Sequence, residues 1–182
     1  MKGLIAYSSL TGNTAKLADR LAAGLADLGD WTLADIKKGA DASGYDCILA
    51  GGWIDRAWPD KAAKAWIEDL PADLPLGIFV TMGALPESPH GDRVKENLAS
   101  LLAGHGTALG MAVLPGVVEA KLLDRVRQMP AHVLGENGES IKRQMVEAGE
   151  QSRMPTEEEY QAGVQVFREA IQGWLDQKGD LQ

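Results

Sequence analysis

The amino-acid sequence has little of what several classes of protein require. Its 182 residues include one cysteine, Cys47, so an internal disulfide is impossible. Cys47 lies in an apolar segment typical of a buried strand, which predicts an inert core thiol. No His, Cys, Asp and Glu residues have the spacing of metal ligands, so we expect no metal site. No apolar run approaches the roughly 18–20 residues of a membrane-spanning helix.

Basic residues are also scarce. The chain has 18 Lys and Arg residues against 26 Asp and Glu residues, which gives a formal net charge of −8. Nucleic-acid binding needs a basic surface that neutralises phosphates, so we expect no nucleic-acid partner. An acidic surface suits docking with a basic protein instead. The N-terminus has no basic segment followed by a cleavage site, which predicts a cytoplasmic protein.

Common catalytic and nucleotide-binding motifs are absent as well. There is no G-x-x-x-x-G-K-[ST] loop, no G-x-G-x-x-G fingerprint and no G-x-S-x-G serine elbow. We therefore predict no catalytic acid, base or nucleophile in the chain. A bound cofactor that supplies its own chemistry would account for this absence.

The most informative segment that is present is a hydroxyl-rich turn near the N-terminus. The apolar run Gly3–Tyr7 before it predicts a strand, and the amphipathic segment after it predicts a helix. The first backbone N–H groups of a helix are free, and the positive end of the helix dipole faces the same point. A turn of this kind can bind phosphate. The predicted phosphate-binding residues are Ser8, Ser9, Leu10, Thr11, Gly12, Asn13 and Thr14.

The hydroxyl groups of this turn could instead be ordinary helix N-caps. However, the turn holds more hydroxyls than one cap can use, and Gly12 lets the backbone approach a ligand closely. The turn contains no Lys or Arg. We therefore expect a phosphate group that is held by N–H and O–H donors alone.

Strand patterns alternate with helical spacing along most of the chain. Strands are predicted near residues 2–7, 31–36, 47–51, 76–81 and 107–114, and helices near residues 12–28, 60–70 and 91–103. This alternation predicts a three-layer α/β fold, in which helices cover both faces of a doubly wound, five-stranded parallel sheet. The strand order 2-1-3-4-5 fits, and ligands then bind beyond the carboxyl ends of the strands. Three loops lie there, at residues 8–14, 51–58 and 81–90.

The stretch Ser9-Leu10-Thr11-Gly12-Asn13-Thr14 resembles the S/T-x-T-G-x-T phosphate loop of the flavodoxin family, in its usual place after the first strand. The resemblance covers about residues 2–118 and the final helix. It implies a flavodoxin-like fold and a non-covalently bound flavin mononucleotide (FMN). Residues 119–155 match no pattern of the family. Their spacing predicts a helical insertion, before a last helix, within a single domain of residues 1–182.

The second loop is expected to hold the flavin ring, whose flat faces need apolar walls. Trp53 and Trp58 are candidate walls, and each could instead pack on the sheet edge or on the next helix. In members of the family, this loop presents a backbone carbonyl to the flavin N5. A peptide there flips on one-electron reduction and stabilises the semiquinone. The matching segment here lacks the usual small residue, and Arg56 could tune the potential or be a surface residue. The predicted contacts are Gly52, Trp53, Ile54, Asp55 and Arg56.

The third loop lacks the tyrosine that many members of the family stack on the outer flavin face. Either a tryptophan of the second loop covers that face, or the face is open to a substrate or a partner. His90 could donate a proton to a substrate or could have a helix-capping or solvent role. The predicted flavin contacts in this loop are Thr81, Met82, Gly83 and Ala84.

Three functions are consistent with these features. The first is a flavodoxin-like electron carrier, which takes electrons from a reductase and passes them to another redox protein. The second is an FMN-dependent oxidoreductase, whose small-molecule substrate is a quinone or a tetrapyrrole-type compound, as the resemblance implies. The third is an interaction module in which FMN only stabilises the fold.

Overall fold

Five parallel strands form the centre of the molecule, which a computed structural model describes over residues 1–179. The strands are β1 (Lys2–Tyr7), β2 (Asp30–Asp35), β3 (Cys47–Asp55), β5 (Leu76–Met82) and β6 (Ala108–Pro115). Their order, β2-β1-β3-β5-β6, is the predicted one. A two-residue strand, β4 (Trp58–Pro59), pairs antiparallel with β3. The sheet therefore has six strands, one more than the sequence predicted.

The burial of each strand follows its place in the sheet. In β5 every residue is buried, and β3 is buried from Cys47 to Gly52, because helices cover both faces of a central parallel strand. The edge strand β2 is exposed or half-buried throughout. Burial raises the pKa of the Cys47 thiol to about 12, in agreement with an inert core cysteine.

Helices cover both faces of the sheet. On one face lie α1 (Asn13–Gly24) and α6 (Glu157–Gly179), which bury Leu17, Leu21, Phe167 and Ile171. On the other lie α2 (Lys61–Glu68) and α3 (Pro89–Leu102), which bury Ala63, Ile67, Val94 and Leu98. In each helix these residues recur every three or four positions, so they form one apolar stripe. The fold is therefore the predicted three-layer α/β arrangement.

Residues 119–155 form a separate helical segment between β6 and α6. It contains α4 (Ala120–Gln128), a short 3₁₀ helix (Ala131–Leu134) and α5 (Gly138–Gln151). The two α-helices pack together, with Arg127 bonded to Glu150 at 2.7 Å. The segment has equal numbers of acidic and basic residues, so the net charge of the chain resides elsewhere. Its assignment as an insertion within one domain stays a prediction.

None of the helices described in residues 1–179 combines the length and the apolarity needed to cross a bilayer. The last helix, α6, is the longest, but charged residues recur along it. Its start is the capping box that the sequence contains, with Glu159 N–H donating to Thr156 Oγ1 and Thr156 N–H donating to Glu159 Oε2.

Candidate functional site

The structure brings the three predicted loops together at the carboxyl edge of the sheet. Ser8, after β1, donates its backbone N–H to the Gly51 carbonyl at 2.9 Å and its hydroxyl to Asp60 Oδ1 at 2.9 Å. The hydroxyls of Thr14 and Thr81 lie 2.9 Å apart, so the start of α1 contacts the end of β5. The turn at residues 8–14 is thus bonded to both of the other loops.

Helix α1 begins without a side-chain cap. Gly12 holds the N-cap position in a left-handed conformation, with φ of 89°, and no side chain in the described part of the chain bonds the first turn. Within residues 1–179, the backbone N–H groups of Asn13, Thr14 and Ala15 have no hydrogen-bond partner. These three donors and the positive end of the helix dipole point out of the turn, which is the geometry of an anion site.

The side chains of the turn divide into two groups. Ser8 and Thr14 are buried, and their hydroxyls bond to Asp60 and Thr81 beneath the turn. The Ser9 Oγ accepts a bond from Gly12 N–H at 3.1 Å, which closes the turn. The side chains of Leu10, which is 58% exposed, and of Thr11 face outward, whereas Asn13 is half-buried and its amide donates to the Val117 carbonyl. The buried pair therefore shapes the turn, while the backbone N–H groups face outward.

A positive charge lies beside the turn, which the sequence analysis missed. The Lys37 ammonium, from the 3₁₀ helix Ile36–Lys38, lies 3.5 Å from the Ser9 carbonyl oxygen. Strand β2 pairs with β1, so the residues after β2 lie next to the residues after β1. The expectation that uncharged donors alone surround the turn is therefore incomplete. The predicted strand order carried the signal, since a lysine directly after strand two must lie near this edge.

The second loop is a hairpin rather than an open loop. Strand β3 continues to Asp55 and turns through Arg56 and Ala57 into β4. Both turn residues have positive φ, 51° and 67°, as a two-residue hairpin of type I′ requires. Each such non-glycine residue costs about 1–2 kcal/mol. Ala57 is buried, and its carbonyl accepts a bond from Asn97 Nδ2 at 2.8 Å, which holds the hairpin against α3.

Two buried polar atoms near this hairpin lack partners within the described part of the chain: Trp53 Nε1 and Asp60 Oδ2. Asp60 is 4% exposed and caps α2 through its other carboxylate oxygen. Buried polar atoms without partners are rare in native proteins, so each calls for an explanation. The second tryptophan, Trp58, has the Lys64 ammonium 5.0 Å from its ring centroid and so packs towards α2.

The third loop starts from the buried end of β5. Thr81 and Met82 are buried, whereas Gly83 and Ala84 are half-buried at the edge of the site. A Cβ on Gly83 would lie 2.5 Å from Val118, so this position accepts only glycine without a shift of Val118. His90 lies in the first turn of α3, where burial and the nearby Arg93 lower its pKa.

The chain is similar to known proteins in sequence and in structure. A flavodoxin-like domain-containing protein of Clostridioides difficile, BilS, is 29% identical over 169 residues, which are 90% of this chain and 93% of that protein. The rubredoxin oxygen:oxidoreductase of Desulfovibrio gigas has a TM-score of 0.50 at 18% identity, over 93% of this chain and 37% of its own. A flavodoxin from the domain Archaea has a TM-score of 0.49 at 14% identity, over 83% and 98% of the two chains.

The family assignment is based on the sequence as a whole. The model of the flavodoxin domain matches residues 4–168, which include the turn at residues 8–14, all the strands of the sheet except the first residues of β1, and the first half of α6. This supports FMN, the cofactor that the resemblance implies. With the strand order and the uncapped turn in place, the chain belongs to the flavodoxin domain family.

Proposed function

We propose that this chain binds FMN at the carboxyl edge of its sheet and transfers electrons between a reductase and a redox partner protein. The observation that carries the proposal is the uncapped start of α1, where three backbone N–H groups have no partner within residues 1–179. When bound, FMN supplies reversible electron transfer that no side chain of the chain provides.

The turn at residues 8–14 fits the phosphate end of FMN. The free N–H groups of Asn13, Thr14 and Ala15 offer donors to a phosphate, and the dipole of α1 favours negative charge there. An added Cβ on Gly12 would meet nothing within 4 Å, so the space next to the turn is open to a ligand. The outward-facing Thr11 and the Ser9 hydroxyl supply further donors.

The other two loops fit the ring end. We assign the ring contacts to Gly52, Trp53, Ile54, Asp55 and Arg56 in the hairpin and to Thr81, Met82, Gly83 and Ala84 after β5. Both loops lie beside the turn, since the Gly51 carbonyl accepts a bond from Ser8 N–H and the Thr81 hydroxyl lies 2.9 Å from that of Thr14.

Other features of the chain support electron transfer to a protein partner. Neither the sequence motifs nor the site geometry provides a nucleophile or a paired acid and base, so the side chains bind and orient the cofactor. The net charge of −8 would attract a basic partner at long range.

Titration of the purified protein with FMN tests this proposal. We expect tight binding, which is measured through the quenching of flavin fluorescence. Replacing Thr11 and Thr14 together by alanine should weaken binding by about 1–3 kcal/mol, because the outward-facing Thr11 hydroxyl is lost as a donor to a charged acceptor and the buried Thr14 hydroxyl no longer holds the turn against Thr81. Thr14 also pairs with Thr81, so the unfolding curve of the variant must be measured alongside.

The exposed Thr32 of β2 provides the control, since Thr32→Ala removes a hydroxyl far from the turn. Unchanged affinity in a folded Thr11/Thr14 double variant would show that the turn is not the phosphate site. A wild-type protein that fails to bind added FMN would overturn the proposal itself.

A second candidate function is an FMN-dependent oxidoreductase that acts on a quinone or a tetrapyrrole-type substrate. The observation that favours it is the position of the helical segment 119–155, which starts at the site. Asn13 Nδ2 donates to the Val117 carbonyl at 2.9 Å, and Val118 lies against Gly83. The third loop also has no tryptophan, tyrosine or phenylalanine. Oxidation of NAD(P)H by a quinone, with the chain as the sole protein, would favour this function over the carrier.

A further inference from the structure

The contacts of the Lys37 side chain with the described residues show no structural role for it. Its ammonium group lies 3.5 Å from the Ser9 carbonyl and makes no ion pair within residues 1–179. The neighbouring Lys38 is different, since it lies 4.0 Å from the Asp35 carboxylate and is 84% exposed. Of two adjacent lysines, one thus pairs with an acidic side chain, and the other lies beside the anion-binding turn.

The backbone of Lys37 is held in place. Asp35 Oδ1 accepts a bond from Lys37 N–H at 2.9 Å, and the buried Ile36 anchors the 3₁₀ helix to the core. The pairing of Tyr7 with Asp35 sets this helix directly beside the end of β1. The position of the Lys37 side chain next to the turn therefore follows from the sheet register, not from a mobile loop.

A phosphate at this turn would meet a negative charge from below. The Ser8 hydroxyl donates to the buried Asp60, whose side chain caps α2. A phosphomonoester itself carries about −1.5 to −2 charges at pH 7. Neutral N–H and O–H donors hold such an anion, but a nearby cation offsets its repulsion from Asp60. Lys37 is the cation whose side chain bonds to the backbone of this turn.

We propose that Lys37 is the charged partner of the bound phosphate and makes the site select FMN over riboflavin, which lacks the phosphate. The Lys37 stem is long and flexible, so the ammonium can leave the Ser9 carbonyl and contact a phosphate oxygen in the turn. This inference rests on the proposed function, because it assigns a residue to the phosphate end of the same site.

The experiment compares the dissociation constants of FMN and riboflavin for the wild type and three variants. At low ionic strength, Lys37→Ala should weaken FMN binding by about twofold to fivefold, as expected for an exposed charge pair. Riboflavin binding should not change. Lys37→Arg should restore FMN binding, and Lys38→Ala, the control, should leave it at the wild-type value. At high salt the difference between Lys37→Ala and the wild type should shrink.

Two results would overturn this inference and leave the proposed function intact. One is an equal loss of FMN and riboflavin affinity in Lys37→Ala, which would mean that the lysine only supports the turn. The other is an FMN affinity in Lys37→Ala equal to that of Lys38→Ala. A wild-type protein that binds neither flavin would overturn the inference together with the proposed function.

Discussion

The turn at residues 8–14 and the hairpin through Arg56 and Ala57 lie at the same edge of the sheet but are built in opposite ways. Among the described residues, the turn leaves backbone donors unpaired, and it uses Gly12 where φ is positive, so its geometry carries little strain. The hairpin places two non-glycine residues at positive φ and relies on Asn97 and the burial of Ala57 to hold them.

The difference shows that one part of the site is formed by its local sequence and another part by tertiary contacts. In the turn, the residues that need a special conformation are the residues that adopt it most readily. In the hairpin, the conformation is imposed by α3 and by the core beneath Ala57. We therefore expect substitutions within the turn to weaken FMN binding or stability. Substitutions that relieve the strain of the hairpin should instead raise the free energy of unfolding.

Asp60 joins the two regions, and its removal should have the largest effect. Asp60→Ala removes the cap of α2 and leaves the buried Ser8 hydroxyl without its acceptor. We expect a loss of about 2–4 kcal/mol in the free energy of unfolding, measured with urea. The control is Ser88→Ala, which removes the cap of α3 and a part-buried bond to the Leu85 carbonyl and should cost about 1 kcal/mol. Equal losses would show that the link to Ser8 contributes nothing.

Gly12→Ala should have a smaller effect on stability and a selective effect on binding. The alanine would be strained at φ of 89°, which costs about 1–2 kcal/mol. Gly44→Ala is the matched control, because Gly44 also has positive φ and open space around it. Both variants should lose similar stability in urea, while only Gly12→Ala should weaken FMN binding. If both variants lost a similar amount of FMN affinity, the geometry of the turn would not be what determines FMN binding.

Arg56→Gly should have the smallest effect, and with the opposite sign. Glycine removes the strain of a left-handed residue at an exposed position, but it also raises the entropy of the unfolded chain. We expect a net gain of about 0.5–1 kcal/mol in urea unfolding. Ala57→Gly relieves similar strain but loses a buried methyl group, so its stability should stay close to that of the wild type. A destabilised Arg56→Gly would mean that Arg56 makes contacts that outweigh its strain.

The order of the parallel strands and the place of the turn were predictable, because both depend on local pattern. Strand β4 was not. Arg56 and Ala57 are not typical of two-residue hairpin turns, which favour Asn-Gly or Asp-Gly, and Pro59 indicated the start of a helix. The hairpin can be recognised only from the tertiary structure, because the bond from Asn97 and the core hold it in place.

The charged groups around the turn also escaped prediction, for a related reason. Asp60 and Lys37 are distant from the turn in sequence, and each reaches it through the sheet register. The position of Lys37 could have been predicted, since the predicted order places strand two next to strand one. Asp60 follows directly after β4, a strand that the sequence did not predict, so local pattern could not reveal the bond from Ser8 to Asp60.

The helical segment 119–155 has equal numbers of acidic and basic residues. It therefore adds no monopole to the long-range electrostatic field of the protein, which arises from the sheet and the helices that cover it. A partner drawn by the net charge of −8 is steered by those parts of the molecule. Contacts that a partner makes with the exposed apolar side chains of the segment, such as Leu122 and Val133, should persist at salt concentrations that abolish steering.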